Sequence, residues 1–433
     1  MPIAIIGGGL AGCECAWQLA RSGRRAVIFE MRPERNTPAH ATDRLAELVC
    51  SNSLRSEEPE TAVGLLKAEM RRAGSLVIEA AEATRVPAGK ALAVDRELFA
   101  AHVTEAVGND PDITVVRRHV ATLDDPELAS FDAVVVAAGP LASDPLADCL
   151  GRIVGQDHLA FYDAIAPIVA TDSVDMEKAF WGSRYRPEDD DYLNLPMDED
   201  QYTAFIQALL EADHVQAREF EEQVHFEGCL PIEAMAERGP DTLAFGPLKP
   251  VGLEDPRTGR RAHAVVQLRA ENLARTAMNM VGFQTRLTWT AQRRVFAMIP
   301  GLEQAEFLRL GSIHRNTFVN APKALADTLE LRNRPGTYLA GQITGVEGYV
   351  ESAACGLWLG LHLGRGMTLP PVETALGALL SHLRGEGCVG AKRFQPSNVQ
   401  YGLMPSLGRR APKRLRKGLY AQRAQEAWDG WWK

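Results

Sequence analysis

The sequence predicts an α/β fold, a doubly wound, Rossmann-like domain interrupted by an inserted α+β domain. Three observations carry this. A strand, a glycine turn and a helix open the chain, and a second strand, glycine turn and helix return at 336–356. Between them, from about 150 to 320, the pattern changes to irregular segments rich in proline and aromatic residues, such as Phe161-Tyr162 and Phe180-Trp181. The chain therefore divides into 1–150, 151–320 and 321–433, the first and last parts building one domain around the second.

The opening stretch runs from Pro2 to Gly12, an amphipathic helix follows to Gly23, and a second apolar strand ends at Glu30. Gly7, Gly9 and Gly12 have G-x-G-x-x-G spacing. The first glycine permits the tight turn, the second lets backbone approach a pyrophosphate, and the third lets the helix lie close to the sheet. Phosphates then meet the unpaired N–H groups of the helix start. Glu30 follows Gly12 by eighteen residues, where an acid bonds both ribose hydroxyls of an adenosine. Gly8, Leu10, Ala11 and Met31 complete the expected contacts, with Arg32 placed to cover the adenine or a phosphate. The plain alternative is a glycine-rich turn with Glu30 capping a strand. A dinucleotide fits the whole context better, and a fingerprint at the start of a long chain favours FAD over NAD, giving an FAD-binding domain of the glutathione-reductase type.

Length and composition narrow the class. A chain of 433 residues, 46% hydrophobic, is long enough for two or more cores. No stretch approaches the roughly 18 apolar residues of a membrane span, and the N-terminus reads as a strand rather than a secretion signal, so a cytoplasmic protein is expected. Seven scattered cysteines, odd in number and without a C-x-x-C pair, argue against a disulfide framework and against a metal site.

Along the chain, Cys50 is followed by Ser51, Asn52 and Ser53, residues that favour caps and turns. That setting suits an exposed cysteine, and a small buried hydrophobe is the competing reading. Residues 61–83 show apolar positions at helical spacing. Asp95 is placed to cap a following helix, Ile113–Arg117 reads as a strand, and 131–140 as a buried strand passing the cofactor. In the inserted part, Cys229 sits in a turn-like setting, and Gly246–Gly252 is too rich in glycine and proline for regular structure. Strands are expected at 264–268 and 280–283, and a helix at 291–299. His314 is either a core histidine or, given Arg315 and Asn316 beside it, part of a site. In the second glycine turn, Gly341, Gln342, Gly345, Gly348 and Tyr349 precede a helix whose N-terminus is expected to face the flavin and stabilise negative charge there.

The tail reverses the overall charge of −9. Between Glu386 and Glu426 there is no acid, while Lys392, Arg393, Arg409, Arg410, Lys413, Arg414, Arg416, Lys417 and Arg423 are basic. Such a patch attracts phosphates locally, the alternative being a solvated basic helix.

These features resemble the folate- and FAD-dependent tRNA uracil-5-methyltransferase family from residue 3 to about 420. The motifs that carry the resemblance are Thr37–His40, Ala46–Leu54, Leu65–Arg72, Gly246–Leu253, His314–Phe318 and Gly341–Tyr349. Gly8, Cys13, Cys15 and Lys90 depart from the usual pattern and touch only local packing. The resemblance implies formation of 5-methyluridine at position 54 of the tRNA T-loop. The carbon comes from 5,10-methylenetetrahydrofolate, and electrons come from NADPH or NADH through FAD. It places Cys50 and Cys229 at the family's functional cysteines and His314 at the folate, with the basic tail, Arg409 to Lys417, holding tRNA. Uracil C5 becomes nucleophilic only after a thiolate adds at C6. Cys229 is assigned that role and Cys50 that of base or guard near the flavin, with exchange of the two left open. A monomer is favoured. The competing functions are the related wobble-uridine family, which is longer, the same chemistry on ribosomal RNA, and a non-catalytic flavin-containing RNA-binding protein.

Overall fold

Ile3–Ile6 form β1, buried along its whole length, and the chain turns through glycines into α1 (Leu10–Arg21) and returns as β2 (Ala26–Glu30). A computed structural model describes residues 1–37, 39–155, 159–215, 230–386, 394–408 and 411–432; at 159–163 and 313–315 the description is confined to the strand. Next come β3 (Ser53–Ser56), α2 (Ala62–Arg72), α3 (Leu76–Ala83), β4 (Arg85–Val86) and β5 (Ala91–Val94). After these are α4 (Arg96–Asn109), β6 (Ile113–Arg117), β7 (Val134–Val136) and α5 (Asp144–Val154). The middle of the chain adds β8 (Leu159–Ala164), β9 (Ile168–Ala170), β10 (Phe180–Trp181), β11 (Tyr192–Met197), α6 (Glu199–Leu210), α7 (Ile232–Ala236) and α8 (Thr242–Phe245). It continues with β12 (Ala264–Ala270), β13 (Ala277–Met280), α9 (Trp289–Phe296), β14 (Phe307–Arg309) and β15 (Ile313–Phe318). The last part holds α10 (Ala321–Ala324), β16 (Thr337–Leu339), α11 (Tyr349–Arg365), α12 (Ala375–Leu383) and α13 (Lys413–Trp431).

Five strands form a parallel sheet in the order β16-β7-β1-β2-β6. Its strands are short and mostly apolar, and β1 at its centre is buried along its whole length. The chain leaves β1 towards β2 and β6, then crosses back to place β7 on the other side. Ligands of doubly wound sheets bind at the carboxyl ends of the strands where that reversal occurs. β16, drawn from the far end of the sequence, closes the sheet beside β7, the return expected from the second glycine turn.

A second sheet, β10-β11-β12-β13-β9-β14, is antiparallel and comes wholly from the middle of the chain. α6, α7 and α9 pack on it through Phe205, Ile232 and Phe296, which share its core with Leu195, Val266 and Met280. β8 and β15 form a separate ribbon.

α1 and α11, the helices after the two glycine turns, lie side by side. A Cβ on Gly356 would sit 2.1 Å from the Ala11 carbonyl oxygen, and one on Gly360 would sit 2.7 Å from that of Cys15. Small residues four apart on α11 thus let its backbone meet that of α1, fixing the two helix starts relative to one another.

Several local expectations shift. The helix expected over 61–83 is two helices. Gly74 adopts φ +71° and the Ser75 hydroxyl accepts the Ile78 N–H, capping α3. Hydrophobic periodicity alone runs through such a break. Within 131–140 only Val134–Val136 pairs in the sheet, and residues 137–140 turn away to line the cleft. β12 runs on to Ala270, β13 lies at 277–280, and α9 starts at Trp289 and ends at Phe296. Asp95 caps α4 as expected, its Oδ1 accepting the N–H groups of Glu97 and Leu98, each at 3.1 Å.

Candidate active site

At the carboxyl ends of β1, β2 and β7 opens a cleft of about 1000 Å³, its mouth included. Gly7, Gly9, Leu10, Ala11, Glu30, Met31 and Arg32 line it from the first glycine turn, and Gly341, Gln342 and Tyr349 from the second. The sequence-predicted cofactor residues of both turns therefore meet in one place. Gly8, Gly12, Gly345 and Gly348 belong to the same turns but do not line the cleft.

The first turn is built for a phosphate. Gly9 caps α1 with no side chain and has open space where a Cβ would be, so the N–H groups of the first helical turn are uncovered. Gly12 is needed for packing, since its Cβ would lie 2.0 Å from the Gly7 carbonyl oxygen. Glu30 Oε2 accepts the Gly8 N–H at 2.8 Å, and Oε1 accepts from Arg32 N at 3.0 Å and Arg32 Nε at 2.8 Å. Burial alone would raise the Glu30 carboxyl, but the bond and charge of Arg32 and the two N–H groups outweigh it, so Glu30 titrates below its ordinary value.

Arg32 is itself buried, and its Nη1 donates to the Thr42 carbonyl at 3.2 Å and to Glu47 Oε2 at 3.1 Å. Its guanidinium is thus held by Glu30 and Glu47 at the cleft wall, where it fixes the Glu30 carboxylate. Glu47 in turn accepts from Ala41 N, Thr42 N and Thr42 Oγ1, folding residues 40–47 against the cleft. Sequence reasoning missed Glu47, which lies inside the Ala46–Leu54 motif. It also missed His119 and Ser143, which are bonded to each other at 2.8 Å in the cleft lining, next to the end of β2, where Arg118 N donates to Glu30 O at 2.9 Å.

Cys50 sits beside the cleft, next to its lining rather than in it. Its N–H donates to the Tyr349 hydroxyl at 2.7 Å, and the Ser51 N–H donates to the same oxygen at 3.2 Å. Val49 and Tyr349 both line the cleft. Among the five described cysteines Cys13, Cys15, Cys149 and Cys355 are buried, and Cys50 alone is partly exposed. Burial pushes the Cys13 and Cys15 thiols far up and that of Cys355 to about 11, which removes them as nucleophiles near neutral pH.

Gln342 Nε2 donates to both oxygens of Glu347, at 3.1 and 2.9 Å, bracing the second turn. β15, which carries His314, is tied to the cleft by its far end: Thr317 N donates to Pro140 O at 3.0 Å and Val319 N to Ile343 O at 2.9 Å. Only the strand is described at His314 itself, and Cys229 lies outside the described residues. So do Lys392, Arg393, Arg409 and Arg410. Lys413, Arg414, Arg416 and Lys417 are exposed on the first turns of α13. Arg423 differs from them: its guanidinium donates to the carbonyls of Ser406 and Pro405, at 2.9 and 2.6 Å, and holds the preceding loop.

A family profile described as Glucose inhibited division protein A matches residues 2–368. Aquifex aeolicus GidA superposes with a TM-score of 0.70 in one crystal form and 0.69 in another. The two are 16% and 17% identical and cover 99% of this chain and 73% and 76% of theirs, a likeness of fold. A curated protein of Oleidesulfovibrio alaskensis, Methylenetetrahydrofolate--tRNA-(uracil-5-)-methyltransferase TrmFO, is 62% identical over 434 residues, 99% of this chain and 96% of that protein. The protein of the same name from Geobacter sulfurreducens is 58% identical over 435 residues, 99% and 98% of the two chains. The chain belongs to the TrmFO family.

The TrmFO relationship covers nearly the whole chain, whereas the GidA profile stops before α12 and α13. The uncapped start of α1, the buried acid Glu30 at the end of β2 and the meeting of both glycine turns fit an FAD. Gly7–Gly12 and Glu30 would hold its adenosine and pyrophosphate, and Gly341–Tyr349 its flavin end. Among the described residues no cluster of three or more histidines, cysteines or acids is arranged to hold a metal, and no helix is long and apolar enough to cross a membrane.

Proposed function

We propose that this chain forms 5-methyluridine at position 54 in the T-loop of tRNA, taking the carbon from 5,10-methylenetetrahydrofolate and electrons from NADPH or NADH. The observation that carries this, beside the kinship with TrmFO proteins, is the placement of Cys50. It is the one partly exposed thiol among the described cysteines, and it is tied through its backbone to the first residue of α11 at the cleft. FAD, when bound there, supplies the reduction that turns the transferred carbon into a methyl group.

The chain's own residues have the remaining tasks. Cys229 adds as thiolate to uracil C6, which moves charge onto C5 and makes it the nucleophile. Cys50 takes the C5 proton or guards the one-carbon unit at the flavin end. His314 stacks on the folate from β15. The target uracil leaves its stack to reach the cleft, while Lys413, Arg414, Arg416 and Lys417, with Arg409 and Arg410, hold phosphates of the tRNA. Electrostatics support that last role. Cations at the start of a helix oppose its dipole, and α13 has no acid in its first turn to offset them. A phosphate at that end satisfies both the cations and the uncapped N–H groups.

A T-loop RNA carrying 5-fluorouridine at the target position tests the chemistry, because fluorine at C5 cannot leave as a proton does. With FAD, NADPH and methylenetetrahydrofolate present, a covalent protein–RNA complex is expected, with the RNA on the Cys229 peptide. RNA on Cys50 instead exchanges the two roles. Failure of FAD-loaded protein to trap any RNA sinks the methyl-transfer reading.

A further inference from the structure

Residues 48–52 are an irregular segment leading into β3, and each of the five is tethered. Arg96, the first residue of α4, donates Nη1 to the Leu48 carbonyl. Arg309, the last of β14, donates Nη2 to the Val49 carbonyl at 2.8 Å. Arg269, on β12, donates Nε to Asn52 Oδ1 at 3.1 Å and Nη2 to Ser51 Oγ at 3.0 Å. Tyr349 takes the N–H groups of Cys50 and Ser51, and Asn52 Nδ2 donates to the carbonyls of Val94 and Ala270, both at 2.9 Å. The Cys50 sulfur takes no bond from the arginines or Tyr349; its one hydrogen-bond partner among the described residues is a distant one, the Ala164 carbonyl at 4.0 Å.

The arrangement is expensive as a way of merely stabilising a loop. Arg269 is buried and Arg96 nearly so, and the buried carboxylate among the three arginines is Glu271, which accepts from Arg96 Nε at 2.9 Å. Desolvating several guanidinium groups for one carboxylate costs more than an apolar packing of the same volume. What it supplies is direction. Planar guanidinium forks fix the carbonyls and side chains on both sides of one residue while leaving that residue's side chain unengaged.

We propose that Arg96, Arg269 and Arg309 are positioning residues for Cys50, a sling that presents its sulfur at the edge of the cleft beside Tyr349. Two of the three stand on the second sheet. Cys50 is therefore placed jointly by the inserted part of the chain, through Arg269 and Arg309, and by the nucleotide-binding part, through Arg96 and Tyr349. The inference rests on the methyl-transfer reading above.

Arg309 is the member to test, because it is less buried than Arg269 and has no ion-pair partner among the described residues. Full-length, FAD-loaded Arg309→Met keeps the stem and loses the donor; Arg309→Lys keeps the charge and one donor. For each variant kcat and both substrate KM values, FAD content, Tm and the iodoacetamide labelling rate of the Cys50 peptide are read. Displacing a reacting group by about 1 Å costs up to about 100-fold. The expected result for Arg309→Met is accordingly a kcat lowered about 10- to 100-fold with KM values and FAD content kept, an altered Cys50 labelling rate, and partial recovery of both in Arg309→Lys. An unchanged kcat, a rise in KM alone, or a loss that follows FAD content or Tm overturns the proposal. If the unsubstituted protein itself transfers no methyl group, the function is wrong, and Cys50 labelling alone then decides the sling: equal rates in Arg309→Met and the parent reject it.

Discussion

At Cys50 every strong hydrogen bond falls on the backbone or on the neighbouring residues, and the Tyr349 hydroxyl is the nearest of these partners. Tyr349→Phe leaves two half-buried N–H groups without their acceptor, each at a cost of at most about 1 kcal/mol. Methyl transfer is expected to fall while flavin absorbance of the purified protein largely stays, since the ring of residue 349 and every glycine of the cradle are kept and only the hydroxyl that holds Cys50 and Ser51 is lost. Loss of flavin with activity would place Tyr349 in cofactor retention instead. Glu30 gives the pH counterpart. Its folded value lies below the ordinary 4.5, so its contribution to folding and to the cradle is complete above that pH and is lost as pH falls through the lower value. FAD retention, followed by fluorescence, should stay flat from neutrality to about pH 4.5 and decline below it. Glu30→Gln should flatten that decline and hold FAD more weakly at pH 7; an unaltered profile in Glu30→Gln would assign the acid sensitivity elsewhere.

Among the elements, the α1–α11 pair does the most to connect sequence with site, because the two helices start at the two glycine turns. Gly356→Ala sets a methyl group against the Ala11 backbone at 2.1 Å, and neither helix backbone can yield as a side-chain tip would. Overpacking of this kind costs about 1–3 kcal/mol. Lower Tm together with partial loss of FAD is expected, measured by thermal scan and absorbance ratio; full FAD content at unchanged Tm would show that the helices separate freely. α13 is divided along its length. Its start is exposed and basic, whereas its end packs Trp428 into the core against Trp431 and Trp432. Replacing Lys413, Arg414, Arg416 and Lys417 by alanine should weaken tRNA binding and reduce the slope of log K against log salt by up to about 4, one per phosphate contact. Arg423→Ala, which frees a loop, should lower Tm and leave that slope alone. A slope insensitive to the four substitutions would move the tRNA to another face.

At the scale of the whole molecule, the glycine turns, Glu30 and the return of the chain at 336 were legible because each is a local rule: spacing, an acid at a fixed distance, a strand ending in small residues. The partial exposure of Cys50 and the exposure of the basic start of α13 were likewise legible from residue type and neighbours. The sling was not, for Arg96, Arg269 and Arg309 are distant in sequence and meet only when the second sheet docks. A trace of it was present in β12, where Gln267, Arg269 and Glu271 recur every second residue in a run otherwise apolar, the period of a strand with one polar buried face. Glu47 escaped for a similar reason, since its partner Arg32 was read as facing the cofactor rather than as a bridge between two acids. The break at Gly74 was hidden because both helices bury the same kind of residue at the same spacing.

The most direct test of the methyl-transfer function follows the carbon itself. Purified protein is incubated with FAD, NADPH, unmodified tRNA and methylenetetrahydrofolate labelled in the methylene carbon, with Cys229→Ala and Cys50→Ala run in parallel. Label in 5-methyluridine at position 54 of the T-loop, abolished in Cys229→Ala and strongly reduced in Cys50→Ala, is the predicted result. Absence of label from tRNA with protein that retains FAD would contradict it.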